Sequence, residues 1–200
     1  STPINNEKLK NKIANYDWAK RESFTFTTSE GIQLDGWMMK PLNFNPAKRY
    51  PVVLFQYSGP GSQQVINSWN AGSMGQGGAF DAYLAQNDII VVCVDGRGTG
   101  GREAAFEKAT YLQLGKLEAK DQVETALWLG KQSYVDKDKI GIWGWSFGGF
   151  NTLMSMSEGR SVFKAGVAIA PPTDWRFYDT IYTERYMRTP QENAAGYAIN

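Results

Sequence analysis

The sequence predicts an α/β fold: a mostly parallel, doubly wound sheet with helices on both faces and an antiparallel start. Three observations predict it. Residues 52–55 and 89–94 are continuous apolar runs of strand length, the mark of strands buried on both faces. Helical patterns over residues 80–86 and 118–131 alternate with these runs. A third apolar stretch, residues 140–145, runs directly into a glycine-flanked turn and a helix.

Each element has its own justification. Residues 1–20 carry Leu9, Ile13 and Tyr16 or Asp17 on one helical stripe among Lys and Asn, with Thr2-Pro3 as N-cap and first helical position. This reads as an amphipathic surface helix, a linker from an upstream domain. Residues 24–27 alternate, Ser29-Glu30-Gly31 turns the chain, and residues 32–38 alternate again, which predicts a β-hairpin with one half-buried face. Residues 41–50 are a Pro- and Asn-rich loop. The strand at 52–55 ends in Gln56-Tyr57-Ser58-Gly59-Pro60-Gly61, and Gly72, Gly75, Gly77 and Gly78 predict a flexible loop within residues 64–78.

After the strand at 89–94 comes Asp95-Gly96-Arg97-Gly98-Thr99-Gly100-Gly101. Gly96, Gly98 and Gly101 formally match a dinucleotide fingerprint. That fingerprint belongs after the first strand of its unit and directly before a helix, whereas here a hairpin and another strand come first. We read a turn-rich loop at the sheet edge that Asp95 or Arg97 pairs to hold. Val123, Ala126, Leu127 and Gly130 form the predicted buried face of the next helix. A further strand is predicted over residues 163–169. The pattern stops at Tyr197-Ala198-Ile199-Asn200 with no closing helix, so the sheet is expected to be truncated before its last strands.

Composition narrows the function. The chain has 200 residues, 42% hydrophobic and 20% charged, a globular balance. Its 21 basic and 20 acidic residues give a net charge of +1, which argues against a nucleic-acid or acidic partner. Cys93, the single cysteine, lies inside an apolar run as a small core residue. No apolar run reaches the roughly 20 residues of a membrane span.

The chemistry concentrates in Gly144-Trp145-Ser146-Phe147-Gly148, a G-x-S-x-G turn. In such a turn a strained backbone exposes the serine Oγ at the carboxyl edge of a parallel sheet. Phe150, Leu153, Met154 and Ser157 recur at helical spacing after it. The plainer alternative is a glycine-rich turn whose serine only caps the helix. A serine hydroxyl needs a base to take its proton, and the chain has no histidine. Either the acid and base lie beyond residue 200, or the protein is not a hydrolase. Trp175, Tyr178 and Tyr182 share one face if their segment is helical, as a flat-walled apolar pocket or as an ordinary core stripe.

Five motifs in register carry a resemblance: Gln56-Tyr57-Ser58-Gly59-Pro60, Val94-Asp95-Gly96-Arg97-Gly98, Ile142 to Gly149, Val162-Phe163-Lys164, and Tyr178 to Tyr186. Over residues 24–188 the chain resembles the catalytic domain of the prolyl oligopeptidase family, in its bacterial dipeptidyl peptidase IV branch. The resemblance implies an α/β-hydrolase fold for residues 24–200, residues 1–23 as a linker, and an upstream β-propeller in the same chain. It implies a serine exopeptidase that releases Xaa-Pro or Xaa-Ala dipeptides, without cofactor or metal, outside the cytoplasm and in the periplasm. Homodimers are common in the family.

Ser146 would be the nucleophile, with the Phe147 N–H and the Tyr57 hydroxyl on the oxyanion and Trp175, Tyr178 and Tyr182 around the proline ring. Phe147 stands where tyrosine is usual, and Pro172 where a smaller branched residue is common. Related tripeptidyl or acylaminoacyl peptidases, esterases and non-catalytic binding modules share the fold. Without the remaining triad members and the propeller, these residues alone are expected to be inactive and to fold poorly.

Overall fold

β-Branched and aromatic residues suit a pleated sheet packed on both faces, and they predominate in two central strands, β3 (Tyr50–Phe55) and β4 (Ile90–Asp95). A computed structural model describes residues 5–68, 71–73 and 78–199. It contains six strands: β1 (Arg21–Thr27), β2 (Gln33–Met39), β3, β4, β5 (Val135–Trp145) and β6 (Ala165–Ile169). The sheet order is β1-β2-β4-β3-β5-β6. The pairs β1/β2 and β2/β4 are antiparallel; β4/β3, β3/β5 and β5/β6 are parallel. This is the predicted α/β sheet with its antiparallel start. The hairpin reaches three residues further back than predicted, to Arg21. β5 begins at Val135 because that residue pairs with Tyr50 across an irregularity in the ladder.

Among the described residues seven α-helices form: α1 (Glu7–Ile13), α2 (Ala79–Gln86), α3 (Ala104–Glu107), α4 (Lys116–Leu129), α5 (Phe147–Ser157), α6 (Thr180–Met187) and α7 (Ala194–Tyr197). Period-2 alternation divides the core between the faces. Val52, Leu54, Ile90, Val92 and Ile142 point to α4, where they meet Val123, Ala126 and Leu129. Phe55, Val91 and Cys93 point to the other face and meet Ala82 and Ala85 of α2. Cys93 is thus the buried core residue expected, and burial pushes its thiol pKa well up. Trp128 of α4 stacks on Phe24 and Phe26 of β1, both at 4.9 Å between ring centroids, and so ties the antiparallel edge to the core.

Several expectations need correction. α1 is shorter than predicted and buries no residue; Tyr16 is 67% exposed. The Thr2-Pro3 cap, Gly75 and Gly77 lie outside the described residues. Leu127 is exposed, because the buried side of α4 runs instead through Glu118, Asp121, Gln122 and Thr125 as well as its apolar residues. On α5, Leu153 and Ser157 point outward and Asn151, Thr152 and Ser155 are buried with Phe150. Residues 104–110, for which no element was predicted, form α3 and a short 3-10 turn. A short helix, α7, occupies the end where none was predicted.

The buried charges of α4 have a purpose in the loop after β4. Asp121 is fully buried and accepts from Arg97 Nη2 at 2.6 Å, Arg97 Nε at 3.0 Å and the Arg97 N–H at 2.7 Å. Arg97 also pairs with Glu30, which holds Lys120. Asp95 anchors the neighbouring chain instead: its carboxylate accepts from the N–H groups of Gln64 and Val65. Of the two candidates named for this loop, Arg97 holds it to α4, whereas Asp95 ties down residues 64–65 beside it. The glycines serve packing, since a Cβ at Gly96 would lie 2.9 Å from Asp121 Cβ. The short α3 after the loop is not the long helix a dinucleotide site requires.

Asp121→Ala would leave the mostly buried Arg97 guanidinium with only the more exposed Glu30 as a charged partner. We expect it to cost about 3–5 kcal/mol. Asp121→Asn, which keeps the shape and one acceptor, should cost less. Urea unfolding of the intact protein, followed by tryptophan fluorescence, measures both.

Candidate active site

The turn between β5 and α5 is built from close backbone approaches. Ser146 has φ 55° and ψ −118°, a conformation that L residues with side chains rarely adopt. It is pinned from one side, where its N–H donates to the Ile169 carbonyl at the end of β6 at 2.8 Å. It is pinned from the other by Gly144 and Gly148. A Cβ at Gly148 would fall on the Gln56 carbonyl oxygen and 3.1 Å from Tyr57 Cα; one at Gly144 would lie 2.6 Å from the same oxygen. The two flanking glycines of the motif therefore let the end of β3 pass directly over the turn.

Ser146 does not cap α5. Its side chain makes no capping hydrogen bond, the residue is partly exposed, and its Oγ has no hydrogen-bond partner among the described residues. The helix-cap alternative is thereby set aside. Phe147 opens α5, so its N–H is a first-turn donor with no acceptor inside the helix. Its ring is buried, 2% exposed, and packs on Phe150 and Trp175 at 5.5 and 5.6 Å. The departure from tyrosine at this position thus falls in the core, while the backbone donor stays at the turn.

Tyr57 follows β3 and lies beside the turn, its ring 6.3 Å from that of Phe147. The aromatic stripe is not one helix. Trp175 sits in a 3-10 turn (Trp175–Phe177) capped by Asp174, and Tyr182 sits in α6, capped separately by Asp179. The rings still converge. Trp175–Tyr178, Trp175–Tyr182 and Tyr178–Tyr182 centroids are 5.6, 5.8 and 5.6 Å apart, and Tyr186 adds to Tyr182 at 4.9 Å. Trp175 is the buried base of this cluster at 2% exposure, and Tyr178 is its open side at 41%. Burial pushes the Tyr182 hydroxyl far up, so it stays protonated and can donate a hydrogen bond. A cavity of about 1050 Å³ beside Trp18, Arg21, Trp37 and Val65 includes none of these residues.

The arrangement offers a serine with a free Oγ, a helix-terminal N–H, a tyrosine whose ring packs beside the turn, and an aromatic wall. Sequence reasoning missed what lies beneath: Gln56, Ser58, Gln122, Asn151 and Thr152, all buried and joined by hydrogen bonds. The one available signal was a glutamine closing an otherwise apolar strand.

A model of the prolyl oligopeptidase family matches residues 79–200. The chain belongs to the prolyl oligopeptidase family. Among curated relatives of this prolyl oligopeptidase chain is a probable dipeptidyl-aminopeptidase B from Pyrenophora tritici-repentis, 44% identical over 98% of this chain and 23% of the relative. The same-named protein of Tuber melanosporum is 50% identical over 90% of this chain and 20% of its own length. Among solved structures, dipeptidyl peptidase 4 of Porphyromonas gingivalis aligns with a TM-score of 0.89 and 45% identity, covering 98% of this chain and 27% of that one. A putative dipeptidyl aminopeptidase IV from Bacteroides ovatus aligns at 0.85 and 40%, covering 94% and 26%. The chain thus spans about a quarter of the length of the relatives it matches.

Two changes probe this geometry. Gly148→Ala drives a methyl into backbone that cannot yield, so we expect on the order of 100-fold loss of kcat. A lowered thermal transition would accompany it. Near-parental kinetics would show that the approach of β3 is not needed. Glu118 is fully buried where α4 begins and accepts from the Gly115 N–H; burial raises its pKa to about 8. A raised carboxyl pKa contributes stability that is complete below about pH 4.5 and is lost as pH rises through about 8. Glu118→Gln should flatten that decline, read as thermal midpoints of the two proteins across pH 5–9.

Proposed function

We propose that this chain is the nucleophile-bearing part of a serine exopeptidase that releases Xaa-Pro and Xaa-Ala dipeptides from free peptide N-termini. The observation that carries the reading is Ser146 itself: a strained serine at the carboxyl edge of the sheet whose side chain makes no capping hydrogen bond. The names of the relatives agree with it.

Ser146 Oγ attacks the carbonyl carbon after the proline and gives up its proton to a base. The carbonyl oxygen becomes an anion, held by the Phe147 N–H and the Tyr57 hydroxyl, each such donor being worth about 3–4 kcal/mol. The tetrahedral intermediate collapses, the C–N bond breaks, and the amine leaves with the proton. The dipeptide remains as an ester on Ser146 until water, deprotonated by the same base, releases it. These 200 residues hold no histidine. We therefore place the histidine base and its acid partner later in the intact protein, and the groups that hold the substrate's amino terminus in an upstream propeller. Residues 1–23 are proposed as the connection to it. The proline ring packs into the aromatic cluster, where Tyr178 and Tyr182 supply flat apolar walls over the buried Trp175. An extracytoplasmic, periplasmic location and a homodimer belong to the same proposal.

The test compares chromogenic release from free Gly-Pro, N-blocked Gly-Pro and a tripeptide ending in proline, by the intact protein and its Ser146→Ala variant. We expect cleavage of the free dipeptide only, with kcat lowered by about 10⁴ or more in the variant. Preference for the blocked or longer substrate would move the specificity to a sibling peptidase. A folded protein that cleaves none of the three would refute the enzymatic reading.

A further inference from the structure

Tyr57 is held by little of its own. Its ring contributes to a cluster with Phe147, Tyr182 and Tyr186, and no described residue hydrogen-bonds its hydroxyl. Its position follows from the backbone on either side, residues 56 and 58. Both are buried and polar, with 0% and 1% exposure.

Gln56 uses every hydrogen-bonding capacity an amide has. Its Nε2 donates to the Gly148 carbonyl at 2.6 Å and to Thr152 Oγ1 at 3.0 Å. Its Oε1 accepts from Ser58 Oγ at 2.9 Å and from Asn151 Nδ2 at 3.1 Å. The orientation is fixed chemically, because a carbonyl only accepts and the atom facing Gly148 must be nitrogen. Gly148, Asn151 and Thr152 all belong to the first turns of α5. One side chain therefore fastens the end of β3 to the helix whose first N–H points at the reacting centre.

Ser58 completes the clamp. It has φ +62°, a left-handed conformation unusual for a residue with a Cβ. Its Oγ donates to Gln56 and accepts from Gln122 Nε2 at 3.3 Å, which in turn donates to the Val94 carbonyl at 3.1 Å. The chain thus bends sharply just after Tyr57 and is tied there to α4 and β4. An apolar side chain at position 56 would suit a core that already contains Leu54 and Phe55, but it would leave the buried Ser58 hydroxyl and Asn151 Nδ2 without the acceptor that Gln56 supplies. Nor could it set the spacing between two separate elements.

We propose that Gln56, locked by Ser58, is a positioning residue for oxyanion stabilisation: it fixes the Tyr57 hydroxyl relative to the Phe147 N–H. The proposal rests on the peptidase reading above. It predicts that loosening the clamp lowers kcat and leaves KM nearly unchanged, since the donors act on charge that develops only after substrate binds.

The experiment is a set of double-mutant cycles in the intact protein with free Gly-Pro chromogenic substrate: Gln56→Met and Ser58→Gly, each alone and combined with Tyr57→Phe. Ser58→Gly guards against misfolding, because glycine adopts φ +62° freely while the Oγ bridge is lost. We expect each single change to lower kcat by about 10- to 100-fold, the range that misplacement of a catalytic group produces. KM should stay within about twofold. The thermal midpoint of Ser58→Gly should not fall, which a merely structural role would not combine with lost turnover. In the Tyr57→Phe background the further loss should be under about twofold, because the donor being positioned is already gone. Losses that multiply in full in that background would overturn the proposal while leaving Tyr57 as an oxyanion donor. Parental kcat in both single variants, or an effect confined to KM, would overturn it as well. A Tyr57→Phe protein with parental kcat would instead refute Tyr57 as a donor, and the proposal would fall with it.

Discussion

The structure depends on one crowded point, where the end of β3 crosses the turn between β5 and α5. The Gln56 carbonyl lies where a side chain at Gly144 or Gly148 would have to be, and the Ile169 carbonyl closes the other side through the Ser146 N–H. Between them Ser146 is held in a conformation that costs about 1–3 kcal/mol. Such strain persists only where the surroundings leave no alternative, and here three parallel strands and a helix enforce it. The result is a hydroxyl that points out of the sheet rather than into the helix it precedes.

Everything further out stabilises that crossing. Parallel order at β4-β3-β5-β6 brings four strand ends to one edge, where the connecting loops gather. The loop after β4 is secured to α4 through Arg97 and the buried Asp121, and Asp95 secures the chain beyond Tyr57 at Gln64 and Val65. Burial raises Asp95 to about pKa 6, which measures how far this anchoring has been withdrawn from water. α4 consequently has polar groups on its buried side, where Asp121 and Glu124 bond loops, Gln122 bonds β4 and Thr125 bonds back to α4 itself.

Much of this was legible in the sequence. Apolar runs marked β3 and β4, alternation marked the hairpin, and the glycines around Ser146 marked the turn, since close backbone approach leaves a compositional trace. The buried faces of α4 and α5 were not legible. Leu127 and Leu153 fit a helical stripe and are exposed, while Asp121, Gln122, Asn151 and Thr152 break the stripe and are buried. Hydrophobic periodicity identifies surfaces excluded from water by apolar packing. It has no signal for polar side chains buried because partners from distant segments satisfy them. For the same reason the convergence of Trp175, Tyr178 and Tyr182 was anticipated, but not the break between two short helices that produces it.

The central claim is that the fold presents Ser146, and no other hydroxyl, as a nucleophile. The most direct measurement treats the intact, folded protein with a fluorophosphonate, which phosphonylates activated serines, and maps the adduct by peptide mass spectrometry. The account predicts one adduct, on Ser146, absent from Ser146→Ala and slowed by a Gly-Pro substrate in competition. A folded protein that takes no label, or takes it on another residue, would contradict it.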